Sequence, residues 1–441
     1  MSGIPSHHPF LTVPPPSTWS PTDIARTFRA DAHRLGIPLD STPLGPIWVA
    51  PETAAAVKRV VQLLPLLQRA LRSVGTGRAV WTTALRTDPQ LYPIAEDEAE
   101  DPRLALMFAR PDVVVSRSGT KVLEFNTGQG GYTEQQVMHE TWRKIYGGTA
   151  ASDPDTLRHW ALALSRATTR NGDKPTQLCV LASRQDYPDE VLDFEAFFGV
   201  QARHMNELGI ECFVCEPEEL DSRLADRSPD SCIGLRNFQA FEWRLHDIDV
   251  APLQRAIDRG FKFYTPQEAA MVDNKRLLAW LSSKTCHLSP EESRLVDELV
   301  PWTRELVARG RGADDLYAYT LENREDLVLK RCVSVSARDV VVGRLVTCER
   351  WRAAVNDAYL AGDSIVQEFV EHESAEVYLE IDGRPVARRV YPVLSPFFVD
   401  GEYAGCTARY IPDGSVKPSS VDTQGAVLNT AVFTGPAGPE A

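Results

Sequence analysis

The chain has 441 residues, 43% of them hydrophobic, and a formal net charge of -14. That length supports two or three domains with sizeable cores, and the acidic balance argues against a general binder of nucleic acid or anionic membrane, since either surface would repel it. No apolar run approaches the roughly 20 residues that span a bilayer. The Pro-rich start with His7, His8 and Pro14 lacks the charged start and apolar core of a signal peptide, so a cytoplasmic location is expected.

Helical patterning begins after Trp19, from Ile24 to Leu35 and again from Ala54 to Val74, where leucines and valines recur at three- and four-residue steps. An acidic loop, 97–101, precedes the segment Arg110-Pro-Asp112. The strand Val113–Val115, the turn Ser116–Gly119 and the strand around Val122 and Leu123 then predict a hairpin that closes on Glu124-Phe-Asn126. Side chains alternate across a strand, so Arg110 and Asp112 share one face and Glu124 and Asn126 share another, all at one sheet end. Two carboxylates and an amide there suit Mg2+ holding nucleotide phosphates, because Mg2+ keeps waters and takes only a few protein oxygens. The alternative is a surface hairpin with a solvated salt bridge.

A Gly-rich turn, Gly128 to Gly131, leads into a helix predicted from Thr133 to Tyr146 and stopped by Gly147 and Gly148. Its free N–H groups make it a phosphate neighbour, or it is simply a tight turn. From about 151 to 265 the pattern alternates: a strand at Leu178–Leu181, a helix from Asp193 to Leu208, a strand at Ile210–Val214 and the segment Ile233–Phe238. This predicts an open, Rossmann-like α/β unit, without the glycine fingerprint of a dinucleotide site. Arg236, at a strand's carboxyl end, is a candidate for a substrate carboxylate or for a structural salt bridge. Cys212 and Cys215 form a CxxC inside an apolar strand with no second ligand pair, which favours core packing over zinc or redox chemistry.

The third region starts at Pro266. Lys275 heads a helix, Ser289-Pro-Glu-Glu292 predicts a capped helix start, Lys330 ends the strand Leu327–Lys330, and a strand follows at Val340–Gly343. With nine lysines in the whole chain, the placement of these two carries information. A helix from Cys348 to Ala361 precedes the strand Ser364–Val370, which carries Gln367, Glu368 and Phe369. Farther on, Asp382-Gly383 predicts a hairpin turn between strands at Val377–Ile381 and Val386–Tyr391. The tail from Thr434 reads as disordered.

Two lysines followed by Gln367-Glu368-Phe369, with metal-type residues earlier in the chain, resemble the ATP-grasp ligases, and among them the circularly permuted branch typified by glutathionylspermidine synthases. The blocks Asp273-Asn-Lys275 and Val300-Pro-Trp-Thr-Arg304 resemble it too. The resemblance implies an α/β (α+β), circularly permuted ATP-grasp fold with a Rossmann-like pre-ATP-grasp unit. Its parts would be an N-terminal helical segment (1–80), a metal-binding part (81–150), the pre-ATP-grasp domain (151–265), an ATP-binding lobe (266–370) and a strand-rich C-terminal part with the tail (371–441).

Carried over to this chain, the resemblance implies ATP and Mg2+ as cofactors. Lys275 and Lys330 would meet ATP phosphates and adenine N7, and the backbone of Gln367, Glu368 and Phe369 the adenine edge. Asp112, Glu124 and Asn126 would hold Mg2+, and Arg110 would stabilise the acyl-phosphate and tetrahedral intermediates. The glycine-rich loop usual after the second lysine is replaced by Arg331–Ser336, with glycine only at Gly343, so closure would rest on Ser334 and Ser336.

The expected activity is ATP-dependent joining of a small-molecule carboxylate and an amine, two amino acids or a γ-glutamyl compound. Arg236, Arg388, Arg389 and Arg409 are the candidates for binding substrate carboxylates. No nucleic-acid or membrane partner is expected, and a homodimer is compatible with this reading. A catalytically silent nucleotide-binding module and a small-molecule phosphotransferase are the rival readings.

Overall fold

The computed structural model describes residues 8–36, 41–92, 94, 102–127, 130–147, 154–170, 177–186, 194–226, 231–238, 247–308, 312–334, 339–411 and 426–434. Its central element is an eight-stranded sheet. The path runs Phe10–Leu11, Ile47–Val49, Val427–Phe433, Glu402–Tyr410, Val393–Val399, Asp112–Ser116, Gly119–Glu124, and Phe108–Ala109 pairs with Val393–Val399 off that path. Both faces are covered. Leu394 and Phe398 point into one core with the helix Leu64–Arg72 and the helix Arg276–Ser282, whereas Phe397 and Val399 point into another with the helix Tyr132–Tyr146. A strand buried on both sides has no polar face, which is why Val393–Val399 is buried along its whole length.

The predicted hairpin is present: Asp112–Ser116 pairs antiparallel with Gly119–Glu124, with Asp112 opposite Glu124 and a register shift just after Asp112. A four-stranded sheet in the order Lys262–Phe263, Cys232–Arg236, Gln177–Leu181, Cys212–Cys215 is parallel throughout. Cys212 and Cys215 are buried free thiols within it. The back half forms an antiparallel sheet, Thr303–Leu306, Ser364–Glu368, Leu327–Arg331, Val340–Val342. Its core is closed by Trp351 and Val355 of the helix Cys348–Ala361. Ser289 and Glu292 form the predicted capping box.

Several sequence expectations change. The first 80 residues are not purely helical: Phe10–Leu11 and Ile47–Val49 join the main sheet, and Thr42–Pro43 pairs with Ala375–Ile381. These strands are two or three residues long, too short for alternation to show against the helical pattern beside them. The long helical pattern from Ala54 to Val74 divides into the helix Pro51–Lys58, the 3-10 turn Arg59–Leu63 and the helix Leu64–Arg72. Pro65 enforces the break, since it has no N–H for the i−4 ladder and is accommodated only at a helix start. Thr434, expected in a disordered tail, is buried and donates its N–H and hydroxyl to the Val49 carbonyl. The rest of that tail, the acidic loop and Ser336 lie outside the described residues.

Candidate active site

The hairpin end carrying Glu124 meets the back half of the chain. Lys275 Nζ lies 3.1 Å from Glu124 Oε2 and 3.5 Å from the Ser334 carbonyl. Lys330 Nζ donates to the carbonyl of Leu123 at 3.2 Å and to Gln367 Oε1 at 2.8 Å. Both lysine side chains are almost fully buried, each about 6% exposed, so their charge acts where water screens little. Residues about 150 and 200 positions apart are thus held within one hydrogen-bond network.

The local folding reason is visible at each element. Lys275 stands at the N-cap of Arg276–Ser282, and its backbone N–H is fixed by the Cys332 carbonyl. Lys330 sits on a strand paired on both sides, with Ile365 and Val340. Glu124 ends its strand, and beyond it Thr127 donates its N–H to Asp273. The Thr127 hydroxyl contacts both that carboxyl and the Ala269 carbonyl. Burial raises the Asp273 pKa to about 8, against the Thr127 hydrogen bonds. The Thr127–Asp273 link ties the front hairpin to the segment bearing Lys275. Sequence reasoning quoted Asp273 but gave it no role, and Thr127 carried no signal.

Electrostatics follow from the packing. Burial alone would raise the Glu124 pKa, but Lys275 and Lys330 outweigh it and hold the carboxylate at about 2. Burial lowers Lys275, yet Glu124 carries it above its ordinary value. Lys330 is depressed to about 8 by burial, with Glu124 opposing and Lys275 adding to the fall.

Asn126 donates its Nδ2 to the Arg110 carbonyl at 3.0 Å, which turns its Oδ1 to the other side. Glu124 offers a carboxylate in contact with Lys275, and Asn126, two residues on, keeps an amide oxygen not used in the bond to Arg110. That donor set fits Mg2+ bound together with nucleotide phosphates. It does not fit a self-sufficient cage, and among the described residues no group of three or more His, Cys, Asp or Glu could hold a metal by itself.

Asp112, expected as a metal ligand, is held by two protein partners. One of its oxygens accepts from Ser395 Oγ at 2.7 Å and the other is bound by the Arg409 guanidinium. The register shift next to Asp112 and the neighbouring strand Val393–Val399 turn it toward these partners. Arg409, expected to bind substrate, is thereby fixed near Glu124, whose pKa it also lowers. Ser395 was missed. The available signal was a lone hydroxyl in an otherwise apolar, fully buried strand.

The segment expected at the adenine edge is the end of a sheet strand and the residue after it. Gln367 lies inside a ladder, paired with Thr303 on one side and Val328 on the other, and its side chain bridges Lys330 and Thr303. The N–H of Glu368 is used by the Trp302 carbonyl and that of Phe369 by the Asp326 carbonyl. The N–H groups of Glu368 and Phe369 are thus both taken by carbonyls of the chain. The Phe369 ring itself is capped by Arg344 at 3.9 Å.

Arg110 lies at the start of the helix Tyr132–Tyr146, its Nη1 donating to the Gly130 carbonyl at 3.2 Å. Gly131 has φ +97, and a Cβ there would stand 2.8 Å from Arg110 Nη1 and 3.2 Å from the Phe397 ring, so only glycine lets the guanidinium lie against the helix. Arg110 Nε is buried without a partner among the described residues. Arg236 is not part of the lysine cluster. It ends the strand Cys232–Arg236, stacks over Phe263 at 4.7 Å, and lines a narrow slot with Phe108, Tyr132, Trp160 and Tyr264. Arg388 and Arg389 are exposed on the hairpin strand Arg384–Val390.

Set against solved structures, the chain shares its fold with a glutathione synthetase-like effector from Globodera pallida in its apo form. The two are 13% identical, the match covers 94% of this chain and 98% of that one, and the TM-score is 0.56. The mixed α/β architecture of this chain is thus one it shares with that protein. A putative gamma-glutamylcysteine synthetase from Methylobacillus flagellatus matches at 13% identity, 83% of this chain, 85% of that chain and a TM-score of 0.43. A D-cycloserine synthetase matches at 17% identity, 58% and 75% coverage and a TM-score of 0.32. No protein-family model matches the chain, and no curated protein matches it. Among the described residues no helix is long and apolar enough to cross a membrane.

Proposed function

We propose that this chain is an ATP-dependent ligase that joins a small-molecule carboxylate to an amine through an acyl phosphate, releasing ADP and phosphate. The observation that carries the reading is the meeting of ionised Glu124 with Lys275 and Lys330 in one buried niche. Two buried ammonium groups converging on one end of the hairpin, with Asp112 already paired to Arg409, make a place for the negative charge of a triphosphate. The circularly permuted ATP-grasp order accounts for why the carboxylate comes from the front of the chain and the lysines from the back. In this reading the parallel sheet is the Rossmann-like pre-ATP-grasp unit.

Carboxylates do not acylate amines at neutral pH, so activation comes first. A carboxylate oxygen of the acid attacks the γ-phosphorus, the bond to the ADP oxygen breaks, and the amine then attacks the acyl carbon and expels phosphate. Lys275 and Lys330 hold the phosphates and offset charge on the transferred group. Mg2+, when bound at Glu124 and Asn126, supplies Lewis-acid neutralisation of the same oxygens. Arg110 stabilises the acyl phosphate and the tetrahedral intermediate.

Arg409, oriented by Asp112, and Arg236, at the aromatic slot, bind the substrate's non-reacting carboxylate. The adenine edge is met by the backbone of the segment Gln367-Glu368-Phe369. Two amino acids, one of them activated at a γ-carboxyl, are the substrate pair this arrangement suits, and the site belongs in the cytoplasm, where ATP is abundant.

The test is an ADP-release screen over pairs of the twenty amino acids, with product mass determined for each active pair and hydroxylamine added to trap the acyl phosphate. Release of ADP with a mass equal to the condensed pair supports ligation. A phosphorylated product with no hydroxamate would mark a phosphotransferase instead.

A further inference from the structure

Lys275 sets a cation against the very carboxylate to which the proposed function assigns a metal. Lys275 Nζ sits 3.1 Å from Glu124 Oε2, in hydrogen-bond contact with the carboxylate oxygen a divalent ion would use. Lys330 is occupied at the same time by two neutral acceptors, the Leu123 carbonyl and Gln367 Oε1. The remaining carboxylate of the hairpin, Asp112, is committed to Ser395 and Arg409. A free divalent ion approaching Glu124 therefore meets the Lys275 ammonium already in contact with the carboxylate, and must displace it.

We propose that Lys275 is the resident counter-cation of Glu124, exchanged for the metal only when nucleotide phosphates draw its ammonium away, so that the protein takes up a metal–nucleotide complex and not free divalent metal. The idea rests on the nucleotide reading of the site given above. The exchange requires only rotation of the flexible lysine side chain, whose backbone stays anchored to Cys332. It couples two ligands through one carboxylate, and coupling of this kind typically amounts to roughly 5- to 150-fold in affinity. It also guards an ionised carboxylate, which would be costly to bury alone.

The readout is binding of Mn2+ to the full chain, followed by the loss of its free-ion EPR signal and by calorimetry, with no turnover involved. Wild-type protein should leave Mn2+ essentially free without nucleotide and take it up at least tenfold more tightly with a non-hydrolysable ATP analogue. Lys275→Met, which keeps the stem and removes the charge, should bind Mn2+ without nucleotide at least tenfold more tightly than wild type. Adding Glu124→Gln to that variant should abolish the gain. Lys275→Gln serves the same purpose if the methionine variant misfolds.

Equal Mn2+ affinity of wild type and the Lys275 variants without nucleotide overturns the proposal, as does wild-type Mn2+ affinity that ignores the analogue while the analogue binds. If the analogue fails to bind wild type at all, the nucleotide reading falls. The nucleotide-free comparison of wild type with Lys275→Met still decides whether Lys275 excludes metal from Glu124.

Discussion

Asp112 spends one carboxylate oxygen on the Ser395 hydroxyl and the other on the Arg409 guanidinium. The pair is largely buried, with side-chain exposures of 8% for Asp112 and 18% for Arg409, so removing one partner strands a charge. Breaking such a pair costs about 3–5 kcal/mol. Asp112→Asn should fall toward the lower end of that range in chemical denaturation, since the amide keeps a hydrogen bond to Ser395. Combining it with Arg409→Met should cost less than the two single changes together. A double-mutant cycle that sums to zero coupling would show that the pair does not position Arg409.

Glu124→Gln tests the niche in two ways. Loss of one electrostatic contact to a transferring phosphoryl group typically costs about 3–4 kcal/mol, so ADP release should drop roughly a hundred- to a thousandfold. The acid side of the stability profile should change as well. The folded Glu124 pKa, about 2, lies below the model-compound value of 4.5. The carboxylate therefore contributes stability that is complete above pH 4.5 and is lost as pH falls toward 2. Wild type should lose more stability than Glu124→Gln across that window in urea titrations.

Lys330 has the opposite linkage. Its folded pKa is lowered to about 8 from 10.5, so the unfolded chain binds the extra proton between those values and wild-type stability gains a rising contribution with pH there. Its charge, however, is lost over the same interval. Nucleotide affinity measured by calorimetry should weaken as pH rises through about 8, whereas Lys330→Arg, which stays charged, should hold its affinity to higher pH. Identical profiles for the two proteins would remove Lys330 from the phosphate site.

Gly343, the lone glycine near the second lysine's loop, is required by packing. A Cβ there would stand 2.0 Å from the Arg324 carbonyl oxygen, and that backbone can move only by shifting the turn. Gly343→Ala should destabilise the protein by roughly 1–3 kcal/mol, seen as a lower melting temperature. Nucleotide affinity at a permissive temperature should stay near wild type. A large loss of affinity without loss of stability would instead assign Gly343 to lid closure.

Local periodicity made most elements legible. The hairpin at 112–124, the parallel β/α unit, the capping box at Ser289 and the helix Cys348–Ala361 follow from alternation, 3.6-residue spacing and cap chemistry, all of which act over a few residues. The short strands near the N-terminus were hidden because two or three residues carry no period. The same locality explains the site. The polar character of Asp112, Glu124, Asn126, Lys275 and Lys330 stood out against apolar surroundings, which is a property of each segment alone.

Pairing between distant segments is a different matter. That Glu124 faces Lys275 while Asp112 turns away to Arg409 and Ser395 depends on a register shift of one strand and on which strand the main sheet places beside it. That the Gln367 side chain braces Lys330 likewise depends on its strand lying between two others in its sheet. Residue type and spacing define what chemistry a segment can offer. Which cation each carboxylate meets is decided by long-range sheet order, because hydrogen bonds and ion pairs act over a few ångströms that only the folded chain brings together.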